Sequence, residues 1–169
     1  MICPSCGHDN IEGSDRCEEC MTPLYSVGSP GSDAAEGLAR SVMEDNLSQL
    51  EQEFLGVAPS AAALDVIRKM KEARVGCALV LDGGHLVGIF TERDVLNKLV
   101  GKSAMTESTA VRDLMSVNPE TLQETDSVAT ALNKMSMGRY RHIPLQKADG
   151  SYAVTSIKHV LKYIAKEEW

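Results

Sequence analysis

Residues 86–96 read LVGIFTERDVL, and 65 positions later residues 151–161 read SYAVTSIKHVL. In both stretches a strand-like apolar run ends at a hydroxyl residue, Thr91 or Ser156, where a helical pattern begins. The correspondence extends without a gap over residues 57–100 and 122–165, so one unit occurs twice. Lys69, Met70, Arg74, Val95 and Leu96 recur as Lys134, Met135, Arg139, Val160 and Leu161. Ala63, Ile67 and Met70 keep step with Val128, Leu132 and Met135, which predicts one helix face in each copy. After each helix come an apolar strand (78–81; 143–145), a turn at Gly83-Gly84 or Asp149-Gly150, a second strand (86–90; 152–155) and a final helix. The predicted unit is strand, helix, strand, strand, helix. A unit of roughly 60 residues buries little surface alone, so the copies are expected to pack across a pseudo-twofold interface as one α+β body.

The runs VRDLMSVNPETL (111–122), RHIPL (141–145) and LVGIFTERDVL resemble the motifs of a CBS-domain pair, or Bateman module, over about residues 41–169. The resemblance implies tandem β-α-β-β-α repeats, here 41–105 with a lead-in helix and 106–169. It also implies a non-enzymatic regulatory module that binds an adenine nucleotide or adenosyl compound (AMP, ADP, ATP or an S-adenosyl ligand) and associates as a homodimer.

From its residues alone, Thr91-Glu92-Arg93-Asp94 reads as a helix start, with Thr91 as N-cap and Asp94 at the third position. The same geometry suits a ligand, because exposed N–H groups attract phosphate and a carboxylate accepts hydrogen bonds from ribose hydroxyls. The resemblance implies that Thr91, Arg93 and Asp94 take phosphate and ribose. It further implies that Thr121 and Leu122 lie near the base, that Ile143 and Pro144 are apolar lining, and that Arg141 and His142 reach the phosphates. A second site around Ser156 and Lys158 has His159 where the first has Asp94, and Gly76 and Cys77 stand where Arg141 and His142 stand. It is expected to be degenerate, without the ribose carboxylate or the opposing basic wall.

Four of the five cysteines, Cys3, Cys6, Cys17 and Cys20, fall in the first twenty residues as two Cys-x2-Cys knuckles with ten residues between. That spacing brings four sulfurs to one tetrahedron, the arrangement of a structural Zn²⁺ site. Gly7 suits the positive φ of such a knuckle. Residues 1–24 are too few for a core, so metal ligation is expected to supply their folding energy. CPSCG…CEEC…L resembles a short zinc ribbon, with Met21 where a Gly is expected. Iron in an S₄ site uses the same ligands and stays open as the rival. Four cysteines leave no open position for catalysis.

Residues 25–40, which read SVGSPGS from Ser26 to Ser32, are expected to form a flexible linker. From Ser41, the spacing of Met43, Leu47, Leu50 and Phe54 predicts an amphipathic lead-in helix.

The 169 residues carry 17 Lys and Arg against 24 Asp and Glu, and residues 1–40 hold seven acids against Arg16 and Arg40. An acidic head disfavours nucleic acid, whose binding relies on neutralising phosphates. No apolar run approaches the roughly 18 residues of a membrane span, and no signal peptide is recognisable, so the cytoplasm is expected. Neither a GxxxxGK[ST] loop, a His-Glu-x-x-His run nor a Gly-x-Ser-x-Gly elbow occurs. The expected role is a binding module that signals to a protein partner, with the ribbon as docking element. The alternative is a ligand-independent scaffold in which Asp94 only caps a helix.

Overall fold

The computed structural model describes residues 2–3, 5–11, 14, 16–24, 33–99 and 108–165. In chain order the regular elements are α1 (Asp33–Glu44), β1 (Leu55–Val57), α2 (Ala63–Ala73), β2 (Cys77–Asp82), β3 (His85–Thr91) and α3 (Glu92–Leu99). They continue with β4 (Ser116–Val117), β5 (Leu122–Gln123), α4 (Val128–Gly138), β6 (His142–Gln146), β7 (Tyr152–Ser156) and α5 (Ile157–Ala165). The duplicated strand, helix, strand, strand, helix unit is therefore present in both halves. Among the described residues no helix is long and apolar enough to cross a membrane.

Pairing is equivalent in the two halves. β1 runs parallel to β2, and β2 antiparallel to β3 with Cys77 opposite Thr91. β5 runs parallel to β6, and β6 antiparallel to β7 with His142 opposite Ser156. Each sheet is completed by the segment that leads into the other repeat. β4, ahead of repeat 2, pairs with β3 of repeat 1, Ser116 opposite Ile89. Reciprocally, Gln52, ahead of repeat 1, exchanges two backbone hydrogen bonds of 2.9 and 3.2 Å with Val154 in β7.

The cores follow the same exchange. Phe90, Val66, Val80 and Met70 form the core of repeat 1 with Val111 from the following segment. Val128, Ile143, Leu145 and Val160 form that of repeat 2 with Leu47 and Leu50 from the preceding one. Between the sheets, Leu79 and Ile89 of repeat 1 meet Val154 of repeat 2, the contact expected of two units that are each too small alone.

The lead-in departs from the expected single helix. α1 ends at Glu44, a 3-10 turn spans Leu47–Leu50, and Phe54 lies beyond both. The helix breaks because Asn46 is extended (φ −81°, ψ 152°). The N–H groups of Leu47 and Ser48 then donate to the carbonyls of Asp126 and Glu124 in repeat 2, both at 2.9 Å. Leu47 and Leu50 are buried as their spacing predicts, whereas Met43 is exposed. Residues 33–40 of the expected linker belong to α1; its residues 25–32 lie outside the described residues.

α2 and α4 end identically. Arg74 (φ 56°) and Arg139 (φ 53°) close the two helices in the left-handed region, where Gly is usual, so both copies keep the same closing geometry on an arginine. Their starts differ: Ser127 Oγ accepts from the Thr130 N–H at 3.2 Å, while the equivalent Ala62 has no side chain to offer. Ser127→Ala is expected to cost about 1 kcal/mol in chemical denaturation.

Candidate functional site

Two clefts lie at the pseudo-twofold interface, each at the junction between a final strand and its helix. The first, about 630 Å³, surrounds Thr91, Arg93 and Asp94 and is faced by Ser116 and by Tyr140, Arg141 and His142 from repeat 2. Asp94 is only 7% exposed. Its Oδ2 accepts from the Thr91 N–H (3.0 Å) and hydroxyl (2.7 Å), and its Oδ1 from the Ser116 hydroxyl (3.2 Å). The Asp94 N–H points back at Thr91 Oγ1 at 3.4 Å, the reciprocal arrangement of a capping box. Arg93 spans the interface and donates to the Arg139 carbonyl.

Thr91, Arg93, Asp94, Arg141 and His142 thus meet around one cavity. Thr121, Leu122, Ile143 and Pro144 do not line it. Leu122 and Ile143 point into the core of repeat 2, Pro144 is fully buried, and the Thr121 hydroxyl donates to the Pro119 carbonyl at 3.1 Å. Strand alternation explains Ile143: with His142 towards the cleft, its neighbour faces the opposite side. The apolar lining is supplied by Ile89, Leu96, Pro119 and Tyr140 instead. Ser116, the missed polar contact, sits inside the VRDLMSVNPETL run, but only the strand exchange brings it to Asp94.

The second cleft, about 870 Å³, surrounds Ser156, Lys158 and His159. Ser156 Oγ lies 2.6 Å from His159 Nδ1, in place of the Thr91–Asp94 pair. The expectation of a lost basic wall is corrected, because Arg141 lines both clefts, beside the shared Glu92 and His142, and Arg74 joins it in the second. A Cβ at Gly76 would meet the His142 ring at 2.8 Å. Glycine at that position therefore lets the ring lie between the clefts.

Burial, with Arg141 nearby, lowers the His142 pKa below its ordinary value of 6.5, against the opposing pull of Glu92. The ring is neutral at pH 7. Because the folded pKa is depressed, the contribution is whole above 6.5 and is lost as pH falls below it, where the unfolded chain binds more protons. Melting temperatures between about pH 7.5 and 5.5 are expected to fall less steeply for His142→Gln than for the parent.

At the N-terminus the ligand atoms of Cys3, Cys6, Cys17 and Cys20 all lie within 4.8 Å of one another. Cys3 and Cys20 sulfurs are 3.5 Å apart and those of Cys6 and Cys17 3.6 Å, well beyond an S–S bond of about 2.05 Å. Burial disfavours the Cys20 thiolate, but the Thr22 hydroxyl and N–H outweigh it and bring the pKa to about 6. The His8 N–H favours the Cys6 thiolate, yet burial and the three neighbouring sulfurs push it up to about 12. Crowded sulfurs that cannot all ionise alone are what a divalent cation relieves, so the donor set fits a tetrahedral metal. Met21 adopts φ 60° at the position where Gly is expected, so that turn keeps its geometry. The knuckles rest on α4: Thr130 Oγ1 donates to the Ser5 carbonyl (3.2 Å), and Asn133 Nδ2 to the Thr22 hydroxyl (3.1 Å).

Comparison with known proteins adds a family to this geometry. The family model for the CBS domain matches residues 40–101 and 111–166. The CBS domain-containing protein CBSCBSPB1 of Arabidopsis thaliana is 32% identical over 111 residues, 65% of this chain and 20% of that protein. The chain thus spans about a fifth of that relative's length. The crystal structure of CBSX2 in complex with AMP superposes with a TM-score of 0.63 at 18% identity, covering 73% of this chain and 99% of that one. The CBS pair of MJ0100 in complex with 5′-methylthioadenosine and S-adenosyl-L-methionine gives 0.64 at 14% identity, covering 73% and 98%. With both repeats matched and the duplicated fold shared, the chain belongs to the CBS domain family.

Proposed function

We propose that the chain is a non-catalytic regulatory module that binds an adenine nucleotide or adenosyl compound in the Asp94 cleft and signals its occupancy to a partner protein. The observation that carries this reading is the placement of Asp94 and Thr91 on one wall of a cavity with Arg141 and His142 on the other. A carboxylate there suits ribose hydroxyls, and opposite it the Arg141 cation and the neutral His142 ring, a hydrogen-bond donor, suit phosphate. Its volume lies within the range usual for small-molecule sites, and CBSX2 and MJ0100 carry adenosyl ligands on the same fold. Ligand affinity that differs between two packings of the repeats would set which state a partner meets.

Residues 1–24 act as a structural zinc ribbon held by Cys3, Cys6, Cys17 and Cys20, and its outer face is the docking element. The pair forms a homodimer through α3 and α5, where Leu96 is 63% and Leu161 55% exposed, and works in the cytoplasm without nucleic acid. A thermal-shift panel of AMP, ADP, ATP, S-adenosylmethionine and GTP on the metal-loaded protein tests the reading, since a ligand of the native state raises its stability. A selective adenosyl shift is expected. A flat panel would favour the scaffold reading, which the capping geometry of Asp94 supports.

A further inference from the structure

The larger of the two clefts has the fold of a nucleotide site and a different chemistry. At the offset of 65, Asp94 is replaced by His159, Glu92 by Ile157 and Asn97 by Lys162. Each exchange removes negative charge or adds positive charge. The cavity is consequently lined by Arg74, Arg141, Lys158 and Lys162 against Glu53 and Glu92. The same cavity is also lined by the apolar side chains of Phe54, Val154 and Ile164, of which Phe54 and Val154 belong to the apolar cluster between the sheets.

We infer that this cleft is a separate organophosphate site, which holds a phosphate among Lys158, His159 and Lys162 and an apolar body against Phe54 and Val154 without reading a sugar diol. Burial and the nearby Lys162 and Lys158 keep His159 below its ordinary pKa, so its ring carries one proton at pH 7. Ser156 Oγ lies 2.6 Å from Nδ1; in the tautomer in which the hydroxyl donates, the ring proton sits on Nε2, a donor to a phosphate oxygen. A ribose diol, which donates to a carboxylate in the other cleft, finds no such acceptor at position 159. The cations match a dianion, and the apolar wall selects against a bare ion.

The test uses the full metal-loaded chain and calorimetric titration with 1-naphthyl phosphate, with inorganic phosphate and 1-naphthol as its two halves. The ester is expected to bind more tightly than either half. His159→Asp recreates the helix cap made by Thr91 and Asp94, so the chain keeps its fold, yet affinity should fall at least about tenfold. Lys158→Ala should weaken binding in the same direction, and Lys69→Ala, an equal charge loss on exposed α2, should leave it within about twofold. Equal affinity for naphthol, no binding of the ester at millimolar concentration, or affinity unmoved by both cleft variants would each overturn the assignment.

Discussion

Asp94→Asn is expected to lower the affinity of the adenosyl ligand by about a hundredfold or more while the protein stays folded. The carboxylate faces two tasks at once. In the unliganded cleft it accepts from the Thr91 N–H and hydroxyl and from the Ser116 hydroxyl. Asn preserves the shape and one acceptor oxygen, which can still accept from Thr91 at the third position of the helix, so the structural cost should stay at about 1 kcal/mol. What Asn removes is the charge and the second acceptor. Two ribose hydroxyls bonded to an ion are worth about 1.5–3 kcal/mol each, and about 1.4 kcal/mol is a factor of ten. Asp94→Ala is a poorer probe because it strands the Thr91 and Ser116 donors in a site that is 7% exposed. Titration of the Asn variant with whichever adenosyl ligand shifts the parent decides the matter. Unchanged affinity would reduce Asp94 to a cap and leave the scaffold reading in front.

Removing the metal proposed for the four cysteines should unfold residues 1–24 and spare the repeats. The described apolar cluster there consists of Cys3, Cys17 and Leu24 with Cys20 alongside, and three of those four are ligands. Structural zinc in small fingers supplies roughly 10–16 kcal/mol of apparent binding energy, far above what such a cluster provides. A chelator, or Cys17→Ser, should therefore collapse the amide dispersion of the head in a proton–nitrogen spectrum while the signals of β2, β3, β6 and β7 persist. The repeats should lose roughly 1–3 kcal/mol from the two contacts of Thr130 and Asn133. Persistence of the head's dispersion after complete metal loss would refute the role. Elemental analysis of the purified chain distinguishes zinc from iron.

The repeat was legible because duplication prints the same pattern twice: helix faces at Ala63 and Val128, turns at Gly83 and Asp149, junctions at Thr91 and Ser156. The cysteine cluster was legible because ligand spacing is local. What stayed hidden depends on contacts between distant segments. The break at Asn46 is set by carbonyls of Asp126 and Glu124, which periodicity within the lead-in does not register. Ser116 reaches Asp94 only through the exchange of β4. Ile143 and Leu122 were assigned to the cleft by motif position, yet the strand phase turns them into the core. Arg141 serves both cavities, which a scheme of one wall per site could not anticipate.

The reciprocal completion of the two sheets also constrains the order of synthesis. Val154 pairs with Gln52 across about a hundred residues, and Val111 fills the core beneath Phe90. As the chain emerges from a ribosome, repeat 1 must wait with the edge of β3 uncovered until Ser116 and Val117 arrive, and its own lead-in stays unpaired until β7 is made. Contacts this distant slow folding, and an open strand edge invites pairing with another chain. A fragment ending before β4 should accordingly aggregate where the full chain folds.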